Sequence, residues 1–122
     1  MTLEEFYIQV LRLLKVVPPN GTAQAEDRQR VVDMWPNIHK YLLKRKLINF
    51  ALADSIPDEL VIPLGKIVAY QLVDDFGVSD MHMSKLKSEG ELDSIPVSKG
   101  ERQLRKIADT AYVSNRLQPE YF

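Results

Sequence analysis

Few side chains in this 122-residue sequence could do chemistry, and their spacing argues against most of it. His39 and His82 fall in different segments, and neither has a second ligand at the i+4 spacing that puts two ligands on one helix face. Each reads as a structural or surface group. Asp74, Asp75 and Asp80 are the obvious carboxylate cluster, but neighbouring residues of a helix point roughly 100° apart, which is poor geometry for an acid–base pair. They read as solvated or interface charge. No H-x-x-x-H, phosphate-loop or G-x-S-x-G pattern is present, and with no cysteine there is neither a disulfide nor a thiolate metal site. The chain is therefore expected to have no catalytic residue, metal or cofactor and not to be an enzyme. Lys99, Arg102, Arg105 and Lys106 could track phosphates, but Glu101 and Asp109 interrupt them, and a salt-bridged interface is the better reading. Lys40, Lys44, Arg45 and Lys46 suit the end of a helix, where the dipole favours cations. They read as a solvated helix end. Trp35 and Phe76 read as core.

The elements that would position these groups are helical. Between its prolines and Gly77, the stretch IPDELVIPLGKIVAYQLVDDFGV repeats apolar residues at three and four. This predicts a one-turn lead-in, capped by Ser55 with Asp58, and a central helix from about Pro63 to Phe76 that Gly77 closes in the left-handed conformation. Leu64 and Leu72 should be core. Upstream, Thr2 and Glu5 form a T-x-x-E capping box ahead of a first helix, about Leu3 to Val16, which Pro18 and Pro19 should stop. Thr22 should cap a second helix with Ala25, Val32, Trp35, Ile38, His39, Leu42 and Leu43 on its apolar face and a kink at Pro36. Downstream, Ser79 should cap and Gly90 stop a helix with a weak stripe of Met81, Met83 and Leu86. Ile95-Pro96-Val97 reads as an extended connector. Ser98 with Glu101 then opens a last helix on which Leu104, Ile107 and Ala108 share a face.

These elements predict an all-α fold: a bundle of four to five helices over residues 1–111 and an extended docking tail over 112–122. A chain of this length can bury its own core. The formal net charge of −1 offers no general affinity for nucleic acid or anionic membrane. The first residues have no cationic region of the kind that opens a signal peptide, and no apolar run approaches the ~20 residues needed to span a bilayer. A soluble, intracellular chain is expected. From Tyr112 the helical period stops, and YVSNRLQPEYF leaves aromatics that need a surface to cover them.

The order of these parts resembles a known family. An N-terminal helix ends in LLKVV, and a second helix reaches a Trp. The proline-initiated central helix ends in DDFGV. After it come a helix opening with Ser-Asp, the GERQLR stretch, and a close of YVS followed by PEYF. The pattern is similar to the head-to-tail adaptors of short-tailed bacteriophages, which stabilise packaged DNA and complete the head. The resemblance implies a structural virion protein of the neck, made in the host cytoplasm. It would form a ring of about twelve copies between the portal ring and the tail or nozzle protein, with double-stranded DNA passing through the lumen without specific binding and no membrane involved. It assigns Tyr112, Val113, Leu117, Pro119, Tyr121 and Phe122 to portal docking, and Arg102, Arg105 and Lys106 to charge contacts with the portal or neighbouring subunits. Two other readings use the same residues. One is a stand-alone helical interaction or regulatory module; the other is a helix-turn-helix DNA-binding protein reading DNA with residues 102–106.

Overall fold

The computed structural model describes residues 1–16 and 24–117, with side chains as far as Asp109 at the C-terminal end. The fold is all-α, with α1 at Leu3–Leu13, α2 at Ala25–Lys44, α3 at Val61–Gln71, α4 at Asp80–Gly90 and α5 at Lys99–Leu117. Single 3₁₀ turns, Asp58–Leu60 and Val73–Asp75, bracket α3. Among the described residues no helix is long and apolar enough to cross a membrane.

The centre is α3, because it is apolar around most of its circumference and must be covered on several sides. Leu64, Ile67, Val68, Ala69 and Leu72 are essentially inaccessible to solvent, and α1, α4 and α5 all pack on this helix. The α-helix starts at Val61 rather than Pro63. Pro63 sits in the first turn, where its missing N–H leaves no bond unmade. After Leu72 the backbone tightens to 3₁₀, so the regular helix ends five residues before Phe76. Gly77 takes φ 58°, the left-handed closure the sequence predicts. The expected Ser55–Asp58 cap is not made; Pro57 precedes the lead-in turn without a side-chain bond.

The helix α1 stops earlier than its sequence suggests, α2 ends within its basic stretch, and both close by one device. In α1 the Lys15 N–H donates to Arg12 O (3.0 Å) and the Val16 N–H to Leu11 O (3.1 Å). In α2 Lys46 donates to Leu43 O and Leu47 to Leu42 O, both at 3.0 Å. These are paired Schellman bonds. Lys15 and Lys46 both stand at φ 61°, where glycine is usual. The prolines therefore do not end α1; the chain has already turned off at Lys15. Thr22 lies outside the described residues, and Gln24 holds the cap position of α2 without a side-chain bond. The helix is continuous through Pro36, buries Val31, Trp35, Ile38, His39 and Leu42 against α1 and the following loop, and leaves Ala25 and Leu43 exposed.

That loop, residues 45–57, has no period, yet it places Leu47, Ile48, Phe50 and Ile56 in the core. Phe50 stacks on Trp35 with ring centroids 6.3 Å apart. Ile56 is tied to Met1 by two backbone bonds, its N–H donating to Met1 O (2.8 Å) and its carbonyl accepting from Met1 N (3.1 Å).

Ser79 caps α4 as expected, accepting from the His82 N–H. The expected stripe loses Met81, which is 87% exposed, and reduces to buried Leu86 with half-buried Met83. Gly90 is the last residue of α4 rather than a stop beyond it. A Cβ there would lie 2.1 Å from the Lys66 carbonyl oxygen, so a side chain would hold α4 off α3. The Ser98–Glu101 box opens α5, with the Glu101 N–H donating to Ser98 Oγ at 3.3 Å. This helix does not end at Tyr112. Its backbone continues to Leu117, so six residues of the expected tail are helical, and 118–122 lie outside the described residues. The apolar period stops at Tyr112, but nothing in AYVSNRL breaks a helix.

Candidate functional site

The first turn of α5 is where the charged groups of the molecule converge. Ser98 ends the connector and fixes the entry of α5, which turns Glu101 inward until its side chain is fully buried. A carboxylate in that position needs cations, and the end of α2 provides one. Arg45, following the last helical residue, donates from Nη1 to Glu101 Oε1 at 3.2 Å and also binds Asp93. Arg105, one turn along α5, approaches the same Glu101 oxygen at 3.5 Å, and the Asp93 N–H donates to it at 3.4 Å. Glu101 Oε2 has no hydrogen-bond partner among the described residues. Tyr41 donates to Asp93 and accepts from Arg45 at 3.2 Å, while the Arg45 guanidinium stacks 5.6 Å from the Tyr41 ring centroid.

The protonation equilibria follow from this arrangement. The Tyr41 hydroxyl bond, outweighing partial burial and helped by Arg45 and Arg105, holds the Asp93 carboxyl below its ordinary range. For Arg45, burial works to lower its pKa, but the Tyr41 bond with the charges of Asp93 and Glu101 overcomes it and the net direction is upward. The node is an ionic clasp joining the C-terminus of α2, the 91–98 connector and the start of α5.

The residues expected to carry charge contacts are thus divided. Arg105 belongs in part to the clasp, while Arg102 and Lys106 are exposed on α5. Of the expected docking residues, Tyr112, Val113 and Leu117 lie on the helical backbone of α5 with side chains outside the described set. Pro119, Tyr121 and Phe122 lie outside it altogether. Where the described part of α5 ends, Ile107 and Ala108 form one wall of an apolar groove of about 420 Å³, opposite Leu43, Leu47, Ile48 and Leu60. The sequence reading missed Arg45, taking it with its lysine neighbours as a solvated helix end. An arginine among lysines was the only signal, because a planar guanidinium suits several acceptors at once.

The histidines are structural, as expected. His39 lies edge-on to Trp35 and Phe50, and its Nε2–H donates to Phe50 O at 2.8 Å. His82 Nε2–H donates to Leu13 O at 2.7 Å, satisfying an orphan carbonyl at the end of α1. Trp35 is buried against Phe6 as well, its Nε1 without a hydrogen-bond partner among the described residues. Asp74, Asp75 and Asp80 are exposed, and Phe76 is half-buried beneath the Arg30 guanidinium rather than in the core. Among the described residues no three His, Cys, Asp or Glu side chains are grouped to hold a metal. No known protein family, curated protein or solved structure matches this chain.

Proposed function

We propose that the protein is a structural subunit of a phage head-to-tail connector, assembling as a ring between portal and tail and helping to retain packaged DNA. The reading rests on the sequence pattern of the central helix and the closing YVS and PEYF motifs. The observation that supports it best is the division of labour along α5. Gly100, Glu101 and Leu104 build the first half of the helix into the bundle. The docking residues all follow Leu104, and the helix axis carries the backbone roughly 12 Å past Asp109 at 1.5 Å per residue. On this reading the anchoring residues and the docking residues Tyr112, Val113 and Leu117 occupy different parts of one helix. The mixed charge of the surface suits the heterologous contacts of a closed ring.

Deleting residues 112–122 tests this. The truncated chain should keep its helical circular dichroism and its melting transition, because the residues of α5 described as buried, Gly100, Glu101 and Leu104, precede the cut. Binding to the cognate portal ring should fall at least tenfold, since burying one aromatic is worth about 1.5–3 kcal/mol. Light scattering should also show the full-length chain forming a ring once portal is supplied. Full-strength binding by the truncated chain moves docking elsewhere, and failure of the intact chain to co-assemble over a range of concentrations removes the connector reading.

A further inference from the structure

On the side of the α5 N-terminus formed with α4 and the connector, a groove of about 550 Å³ opens, and we propose that it binds a phosphoryl group. The groove is independent of the connector reading. From α4, Ser84 and Lys87 face it at helical spacing; from α5, Lys99 and Arg102 face it one turn apart. Lys87 is steadied by Glu91 at 3.9 Å, the one carboxylate lining the groove. Lys99 and Arg102 are exposed and pair with no carboxylate among the described residues, which leaves the groove a net excess of cations.

Ser98 is the second observation. It lines the groove, yet only 3% of its surface is exposed. Its oxygen accepts from the Glu101 N–H, and among the described residues nothing accepts its hydroxyl proton. The neighbouring Ser88 and Ser94 have spent theirs on the carbonyls of Lys85 and Pro96. A nearly buried donor therefore remains in the groove beside Lys99, whose amide at the first position of α5 has no intrahelical acceptor. Hydroxyl, helix N-terminus and three cations converging on one space are the donor set that a tetrahedral oxyanion satisfies. The chain's net charge of −1 gives no general attraction for polyanions, so binding would be confined to this groove. The same chemistry is presented by free phosphate and by a nucleic-acid backbone, and the experiment separates them.

Inorganic phosphate is titrated into the isotopically labelled full chain at constant ionic strength, with a short DNA duplex as a second arm, and amide shifts are followed. Saturable shifts centred on Ser98, Lys99 and Gly100 are expected. They should weaken at least tenfold in Lys99→Gln/Arg102→Gln, whose melting should be unchanged because both side chains are exposed. If that variant does not fold, Lys87→Gln alone should weaken binding severalfold. Saturation by phosphate but not duplex identifies a small phosphorylated ligand. Saturation by both identifies a nucleic-acid backbone, with a salt dependence that falls by about 0.9 for each phosphate contact removed. Absence of saturable shifts with either probe, or unaltered binding by the folded variants, overturns the proposal.

Discussion

Arg45→Met is the sharpest probe of how the bundle is closed. The substitution keeps the apolar stem and removes the guanidinium, leaving Glu101 fully buried with one oxygen already unpaired among the described residues. Removing one partner of a fully buried pair costs about 3–5 kcal/mol. Two features lower that figure. The Arg45 side chain is 26% exposed, so its own desolvation is incomplete, and Glu101 Oε1 keeps Arg105 at 3.5 Å and the Asp93 N–H at 3.4 Å. A loss of about 2–3 kcal/mol is expected. That is a large part of the roughly 6–18 kcal/mol that 0.05–0.15 kcal/mol per residue gives a chain of this size. The melting temperature should drop by about 6–15 °C. Urea unfolding followed by circular dichroism measures it. Glu101→Gln, which removes the buried charge and keeps the shape, should cost less than Arg45→Met. The double variant Arg45→Met/Glu101→Leu should recover much of the loss, because an apolar pair has no charge to desolvate. A loss below about 0.5 kcal/mol for Arg45→Met would refute the reasoning, since Glu101 would then need no cation from α2.

Other consequences can be checked on the same footing. Leu72→Ala should cost about 2–5 kcal/mol in chemical denaturation by opening a cavity at the centre of the bundle, and a loss near zero would remove α3 from that place. Lys46→Gly should stabilise the fold by roughly 0.5–1 kcal/mol, because relief of the left-handed strain exceeds the entropy lost by glycine; a lower melting temperature would contradict this. Gly90→Ala, although it favours helix locally, should destabilise by about 1–3 kcal/mol because its Cβ meets the Lys66 carbonyl, and a stabilised variant would show that α4 can move away freely. Asp93 has a folded pKa below its unfolded value of about 4, so its contribution is present above that pH and is lost as pH falls through the lower folded value. Asp93→Asn should accordingly narrow its stability difference from the parent chain below pH ~4, and a constant difference across the acid range would exclude the linkage.

The helices themselves were legible because each carries its own signals. Thr2, Ser79 and Ser98 cap by reaching a backbone N–H three residues on, an interaction complete within one turn of chain. The centrality of α3 was legible for a related reason: a helix apolar on nearly every side has nowhere to lie except inside. The helix ends were not. Pro18 suggested the stop of α1, but the bonds that end it pass through a left-handed Lys15, a residue that gives no hint of positive φ. Met81 matched the period of α4 and stayed in solvent, since periodicity defines a face but not which partner arrives to cover it. Leu47, Ile48, Phe50 and Ile56 had no period to read, and they became core only when α2 and the chain start came to lie beside them.

The candidate sites show the same division. From the sequence alone came the residue types: an absence of catalytic spacing, a basic stretch cut by acids, and a Ser98–Glu101 box. Glu101 was read as one of the charges that break up a basic face. Folding instead buries it against Arg45, fifty-six residues away, and turns a surface charge into the clasp between α2 and α5. It also sets Lys87 of α4 beside Lys99 and Arg102 around the hydroxyl of Ser98. A capping bond needs one turn of chain and can be read from it. Pairings between separate elements depend on which helices pack and at what height, and that is settled by the close approaches at Gly90 and Gly100 and by the shape of the core around α3.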